Sequence, residues 1–392
     1  MAANYEIPLQ NTAGYYAYSL ADQLVLFNSN NASLCVLSEF AAWLFLSLDA
    51  GYSASCLKQE LIAKQVNIEG FDETLDELTR LLQSDAGSTS YKNEYTELVT
   101  PAKTDMTDLP RVFSVSLLGN TFHVYTPCTR LKKYFMDIAV PAHAESESAK
   151  PRGDFHITIE ESGDGYELRC NTALITKIPD YSHIMPILMD NLQILAYQFS
   201  DYLLSVHSAM LAYRGKGIIL PGISGSGKST LALSLQHKGY RCFSDEIAVI
   251  SATEKLMPLP LPVAIKSGSW KIIRNTYPEI DTQPIWYRQD GRRLKYIFLP
   301  DQKTHPGTRY TAVPLEYIIF PYYNEQAKDY ELVQCNSLDT LHALTQAGYQ
   351  IKDSLTRHKV EKILQLVAKT PAYHLSYSSL EQAHQAIKEI TS

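Results

Sequence analysis

The chain has no pair of cysteines at metal-ligating or redox spacing. Its six cysteines, at positions 35, 56, 128, 170, 242 and 335, are scattered, with no C-x-x-C among them. That pattern excludes a zinc ribbon or a disulfide frame and fits reduced, packed thiols in a cytoplasmic protein. Basic charge is also short. Lys and Arg number 35 against 42 Asp and Glu, a formal net charge of −7. A nucleic acid or an anionic membrane surface needs the opposite balance, so neither is an expected partner. No uninterrupted apolar run is long enough to span a bilayer. The most apolar stretch, Ile184 to Leu211, is broken by Asp190, Asn191, Asp201 and His207, and reads as an amphipathic helix ending near Ser205. Met1 to Leu9 carries Glu6 and has neither a basic start nor an apolar core, so no signal peptide is expected. Internal repeats and low-complexity segments are absent too.

What is present is ordinary globular composition over 392 residues, enough for one to three domains. Residues 1 to about 90 read as a separate small domain. Tyr15 to Phe27 alternates as a hairpin. Leu34, Leu37, Ala41, Leu44 and Leu48 recur at helical spacing until Gly51. Leu57, Leu61 and Ile62 mark a second helix. Leu75, Leu78 and Leu82 mark a third, with Asp72 as its N-cap. A hairpin with three short helices predicts a small winged-helix-like α+β domain. It is not a DNA reader, because Lys58, Lys64 and Arg80 face eleven acidic residues in this segment. Polar Ser84 to Leu109 predicts a linker, which divides the chain at about 1–90, 91–110 and 111–392. In the last part, β-rich Val112 to Val124 and Phe155 to Ile178 flank a polar loop, Ala142 to Gly153. Ala248 to Leu299 is strand-rich, with a hairpin signature at Asp290-Gly291. A strand at Tyr317 to Tyr322, helices over Ser337 to Gly348 and Leu355 to Lys369, a strand near Tyr373 and a helix from Ser379 complete an α/β pattern.

One segment carries explicit chemistry. Gly222-Ile223-Ser224-Gly225-Ser226-Gly227-Lys228-Ser229-Thr230 fits the G-x-x-x-x-G-K-[ST] phosphate loop. An apolar strand, Gly217 to Pro221, precedes it, and an apolar helix start, Leu231 to Leu235, follows. Backbone N–H groups from Gly222, Ser224, Gly225, Ser226, Gly227 and Thr230 would cradle phosphate. Lys228 would reach the β/γ-phosphates and Ser229 would ligate Mg²⁺. Seventeen residues after Lys228 comes the acidic pair Asp245-Glu246, at the end of a short strand. Carboxylates beside a nucleotide–metal complex serve as metal ligand or as base for an incoming hydroxyl, and this pair can divide those tasks. His207 precedes the loop strand and reaches the loop if strand order allows. Lys266 lies in a mostly apolar strand, an expensive place for a cation unless it meets phosphate or carboxylate. Arg288, Arg292, Arg293 and Lys295 surround the Asp290-Gly291 turn, and the two arginines after the turn, Arg292 and Arg293, are candidate phosphate clamps.

Three stretches together carry a resemblance: His207-Ser208-Ala209, the loop from Gly215 to Thr230, and Gly239-Tyr240-Arg241-Cys242-Phe243-Ser244-Asp245-Glu246. The chain resembles the HPr kinase/phosphorylase group over about residues 205 to 270. Leu259-Pro260-Leu261-Pro262-Val263-Ala264-Ile265-Lys266 is similar to a segment of the HPr-kinase-related proteins of bacterial biosynthetic clusters. The resemblance implies an α/β P-loop kinase core of the HPr kinase/phosphoenolpyruvate carboxykinase type, and phosphorylation of a serine-type hydroxyl. It implies Lys228 and Ser229 in ATP and Mg²⁺ binding, Asp245 as the activating base, Glu246 as a metal partner, and a homo-oligomer. Two departures argue against HPr as substrate and against the reverse reaction. Val263 to Gly268 contains Lys266 where the group carries a glutamate, and no distal recognition segment is evident. The N-terminal stretch Leu26 to Ala32, with the helix through Trp43 and Leu48, resembles PqqD-like modules. That resemblance implies capture of a leader peptide along the hairpin edge. The expected function is an ATP-dependent kinase acting on a peptide or small-molecule hydroxyl in a bacterial biosynthetic pathway. A nucleotide-gated binding module without transfer is the alternative; a carboxykinase would need an anion pocket that the sequence does not locate.

Overall fold

A computed structural model describes residues 6–83, 109–137, 143–144, 153–223, 225–299 and 309–392. The linker and most of the loop expected over Ala142 to Gly153 lie outside the described residues, as does Ser224. The chain is mixed α/β with several sheets. It forms two compact units. The smaller comprises Met1–Tyr91, Asn336–Leu341 and Asp353–Lys369; the larger comprises Lys92–Cys335, His342–Lys352 and Thr370–Ser392. The smaller unit therefore takes in two C-terminal segments that the sequence reading assigned to 111–392. Among the described residues, no helix is long and apolar enough to cross a membrane.

The smaller unit opens with an antiparallel sheet whose strands Glu6–Ile7, Tyr15–Leu20, Gln23–Asn28 and Ser33–Leu37 lie in chain order. The expected hairpin is its centre. Ala21 and Asp22 both take positive φ (47° and 62°), the twist that a two-residue hairpin requires. The helical spacing assigned from Leu34 is corrected. Leu34 and Leu37 are in the last strand, and the helix runs Glu39–Asp49. Ser38 makes the switch by accepting the Ala41 N–H on its side chain. Helices Ala54–Ala63 and Phe71–Gln83 follow. Asp72 is inside the third helix and pairs with Lys58, and so is not its N-cap. Leu26, Leu44, Phe45, Leu57 and Phe71 form the core. The helix Arg357–Lys369 also belongs to this unit, with Arg357 bonded to Glu6 at 2.7 Å and lying over the Tyr16 ring.

Asp49 anchors the segment between the first two strands. It accepts N–H groups from Gln10 (2.6 Å), Asn11 (2.9 Å) and Thr12 (2.9 Å), and the Thr12 hydroxyl at 2.7 Å. Burial raises its carboxyl pKa, but these hydrogen bonds together outweigh burial, and the group titrates below its usual range. A carboxyl depressed in the folded state stabilises above its unfolded pKa and loses that contribution as pH falls through the folded one. Asp49→Asn is expected to destabilise this unit by about 2 kcal/mol at neutral pH. The deficit should close on acidification. Amide exchange of residues 10 to 12 as a function of pH is the check; a deficit that is constant with pH would refute the assignment.

In the larger unit a seven-stranded sheet carries Arg111–Leu117, Asn120–Tyr125, Gly153–Ser162, Gly165–Cys170 and Ala173–Ile178 among its strands. The helix Ile184–Gln198 is buried on nearly every face, in one core with Phe122 and Phe155. It stops at Gln198, well short of Ser205, and it is a core helix rather than an amphipathic one. Leu204–Tyr213 is a strand, the centre of the nine-stranded sheet. It turns through Arg214 and Gly215, both at positive φ (49° and 78°), into the strand Lys216–Pro221. On its other flank it pairs with Ile247–Ile250. Leu211, Ile218, Leu220, Leu231 and Leu235 fuse this sheet to the helix Lys228–His237.

Candidate functional site

Strand register assembles the site. Ser208 lies opposite Pro221, and His207 lies opposite Ile247. One residue further along each neighbour come Gly222, where the loop starts, and Glu246, in the acidic turn. The central strand thus holds His207 between the loop and the acids, although it is not at a helix end. The Gly222 N–H approaches the His207 carbonyl at 3.5 Å, and the Ser208 N–H donates to the Glu246 carbonyl at 3.1 Å.

The loop turns on glycine. Gly225 and Gly227 have φ of 96° and 89°, the left-handed region where a side chain is strained. Gly222 has another reason: a Cβ there would meet Ser226 Oγ at 2.9 Å. Gly227 caps the helix Lys228–His237, whose first N–H groups have no partner within the helix. That is the anion-binding geometry of a helix N-terminus. The Ser226 hydroxyl is buried with no hydrogen-bond partner, a second observation that points to a ligand.

Lys228 is only 5 % exposed. Its Nζ donates to the carbonyls of Gly222 (2.6 Å) and Ile223 (2.9 Å) and lies 3.3 Å from His207 Nε2. Burial lowers its pKa to about 8, with Lys266 adding to the fall and Glu246 and Asp245 opposing it. His207 Nδ1 faces the Glu246 carbonyl at 3.0 Å, so Nδ1 donates there and Nε2 is left to accept from Lys228. Burial and the Lys228 charge lower the His207 pKa, which favours the neutral ring. Asp245 is buried, and its Oδ2 has no partner. Burial, then the neighbouring Glu246 charge, raises its carboxyl to about 7 against a hydrogen bond from Ser229. Thr230 is tied to Ser269 by a 2.9 Å hydroxyl bond.

His207, Lys228, Ser229, Glu246 and Lys266 all line one open cleft of about 470 Å³. Two further recesses adjoin it. A larger one, about 1430 Å³, shares Gly225, Gly227, Thr230 and Ser269 with the cleft and adds Tyr323, Tyr377 and His384. A smaller one, about 450 Å³, shares Glu246 and Ala264 and adds Asp190, Asp245, Arg288 and Tyr296. Sequence reading missed both recesses. For the smaller one a signal existed: Asp190 is the one charged residue of the largely apolar helix Ile184–Gln198.

Arg292 and Arg293 do not line this cleft. The hairpin turn holds them elsewhere: Arg292 pairs with Asp290 at 2.9 Å, and Arg293 packs over the Trp270 ring. Arg292→Ala and Arg293→Ala are expected to leave ATP affinity unchanged by titration; a marked loss from either would return them to the phosphate site. Lys295 is occupied by the Ile280 carbonyl at 2.7 Å.

Among the described residues, no three His, Cys, Asp or Glu side chains gather into a preformed metal cage. Mg²⁺ bound with a nucleotide does not need one, since phosphates and water supply most of its ligands. Ser229, the unpartnered Oδ2 of Asp245 and the half-exposed Glu246 are a donor set of the hard, oxygen kind it takes. No protein-family model matches this chain, and no curated protein matches it.

Proposed function

We propose that the protein is an ATP-dependent kinase that transfers the γ-phosphoryl group to a serine-type hydroxyl, on a P-loop core of the HPr kinase type. The observation that carries this reading is the convergence of Lys228, His207 and the Asp245-Glu246 pair on one glycine-rich loop. ATP phosphates would rest on the N–H groups from Gly222 to Thr230, with the nucleoside in the recess beside Tyr323 and Tyr377. Lys228 would leave the loop carbonyls for the β/γ-phosphates, and neutral His207 would accept a hydrogen bond without adding competing charge. Asp245 would take the proton of the attacking hydroxyl as its oxygen bonds to the γ-phosphorus and ADP leaves. Ser229 with Asp245 or Glu246 would hold Mg²⁺, which supplies charge neutralisation on the phosphates when bound. Lys266 is the further cation facing the transferred group.

In the smaller unit, Ser33–Leu37 is the outer strand of the sheet and pairs with Gln23–Asn28. It is the edge that a leader peptide would extend in the PqqD-like reading. The test of the kinase reading offers γ-labelled ATP and Mg²⁺ with hydroxyl amino acids, other small alcohols and serine peptides. Label should enter one class of acceptor. ATP binding with no transfer to any would favour the nucleotide-gated module instead.

A further inference from the structure

We infer that the smaller recess is the acceptor site, and that its occupant is a compact hydroxyl compound bearing both a carboxylate and an ammonium group. This rests on the kinase reading above and adds the substrate class to it.

The first argument is position. The phosphate cleft has the larger recess on one side, joined through Gly225, Gly227, Thr230 and Ser269, and the smaller recess joined through Glu246 and Ala264. If the nucleoside fills the larger recess, a molecule in the smaller one meets the terminal phosphate from the other side, as in-line displacement requires. Asp245 lines the smaller recess, and its buried Oδ2 is unpartnered. A hydroxyl entering there comes beside Asp245, the carboxylate that the kinase reading makes its base.

The second argument is charge. Asp190 interrupts a helix whose neighbours Met189 and Asn191 are buried, and it faces Arg288 from the hairpin turn. Their contact is a single one, Nη2 to Oδ2 at 3.3 Å. A well-formed guanidinium–carboxylate pair is shorter and commonly bidentate. Tyr296, 2 % exposed, stands close enough to Asp190 and Asp245 for both to act on its hydroxyl. Most of the other lining is apolar, with Leu259, Leu261, Pro262 and Leu294 among it. The two side chains are themselves 46 % (Asp190) and 33 % (Arg288) exposed, so a ligand of one charge would pair with one of them and leave the other to solvent. A ligand carrying both charges splits the long contact and satisfies both groups. A serine inside a peptide carries neither charge beside its hydroxyl and leaves the pair as it is.

The experiment measures ADP release and labelled product from the full chain with ATP, Mg²⁺ and L-serine, L-threonine or L-homoserine. Ethanolamine, which lacks the carboxylate, glycerate, which lacks the ammonium, and a serine-containing peptide are the comparisons. One hydroxyl amino acid should be phosphorylated, with ethanolamine and glycerate at least tenfold poorer in kcat/KM. Arg288→Ala and Asp190→Asn should each raise its KM about 10–100-fold and change the KM for ATP far less, and Arg288→Lys should recover part of the loss. Calorimetric titration of the three amino acids into the ADP-loaded protein gives a readout independent of turnover. Absence of binding there, or efficient transfer to the peptide or ethanolamine that is insensitive to Arg288→Ala, overturns the inference while the kinase reading stands. Failure to bind ATP at all would instead remove the kinase reading beneath it.

Discussion

The Asp245→Asn protein is expected to bind ATP and to transfer phosphate about 10²–10⁴-fold more slowly than the parent, the usual contribution of a positioned general base. Asp245 is 7 % exposed, and the amide matches its shape, so the site should remain intact. What disappears is the ability to take a proton. The neighbouring acid does not replace it without movement, because Glu246 turns toward His207, with Oε1 3.8 Å from Nδ1. Removing the Asp245 charge also relieves its repulsion with Glu246, so the melting temperature should hold or rise. The check combines single-turnover transfer of labelled phosphate with a nucleotide titration and a thermal melt. Transfer within tenfold of the parent would move the role of base to Glu246, and Glu246→Gln would then be the sensitive variant. A fall in melting temperature with proportional loss of binding and transfer would make Asp245 a structural residue.

Much of the candidate site was legible because it is local in sequence. Strand, loop and helix from Lys216 to His237 follow from glycine placement and an apolar period, and Asp245-Glu246 sits one short strand later. The place of His207 was less legible. Its meeting with Lys228 depends on Ser208 facing Pro221 and His207 facing Ile247, and register between strands is not written in either strand alone. Buried strands caused the main misreading. Leu204–Tyr213 is covered on both faces, so it lacks the in–out alternation of a half-buried strand and merges with the apolar helix before it. Leu34 and Leu37 happen to continue the helical period of the segment that follows, although Ser38 divides strand from helix. Long-range docking was invisible for another reason. Arg357 reaches Glu6 across 351 residues, and nothing in the amphipathic pattern of its helix names that partner. Arg292 and Arg293 stood out because charge density at a turn is conspicuous in a sequence, and they are not among the residues that line the cleft. Arg288, on the first strand side of the same turn, is the arginine that faces a recess.

The Lys228→Ala protein is expected to lose ATP-dependent stabilisation and to transfer phosphate at least about 10²–10³-fold more slowly, the cost of removing a preorganised donor to developing charge. In the structure this ammonium is 5 % exposed and held by the carbonyls of Gly222 and Ile223, so it is already desolvated before any phosphate arrives. On the kinase reading, ATP binding would exchange two carbonyl bonds for charge-assisted bonds to phosphate, and that exchange would supply affinity. Alanine removes it and leaves two carbonyls and His207 Nε2 without their donor. A modest loss of intrinsic stability should therefore accompany the loss of binding. Lys228→Met separates the two effects, since it fills the space without the charge. Arginine is not a conservative replacement here, because its planar fork does not fit the space of a buried ammonium. In a thermal melt, ATP at about 100 times its dissociation constant should stabilise the parent by about 2.7 kcal/mol. Lys228→Met should show almost none of that at the same concentration while melting near the parent in the absence of nucleotide. Full ATP stabilisation of the Met variant would mean that the loop binds phosphate through its N–H groups alone, with the lysine serving to hold the loop closed.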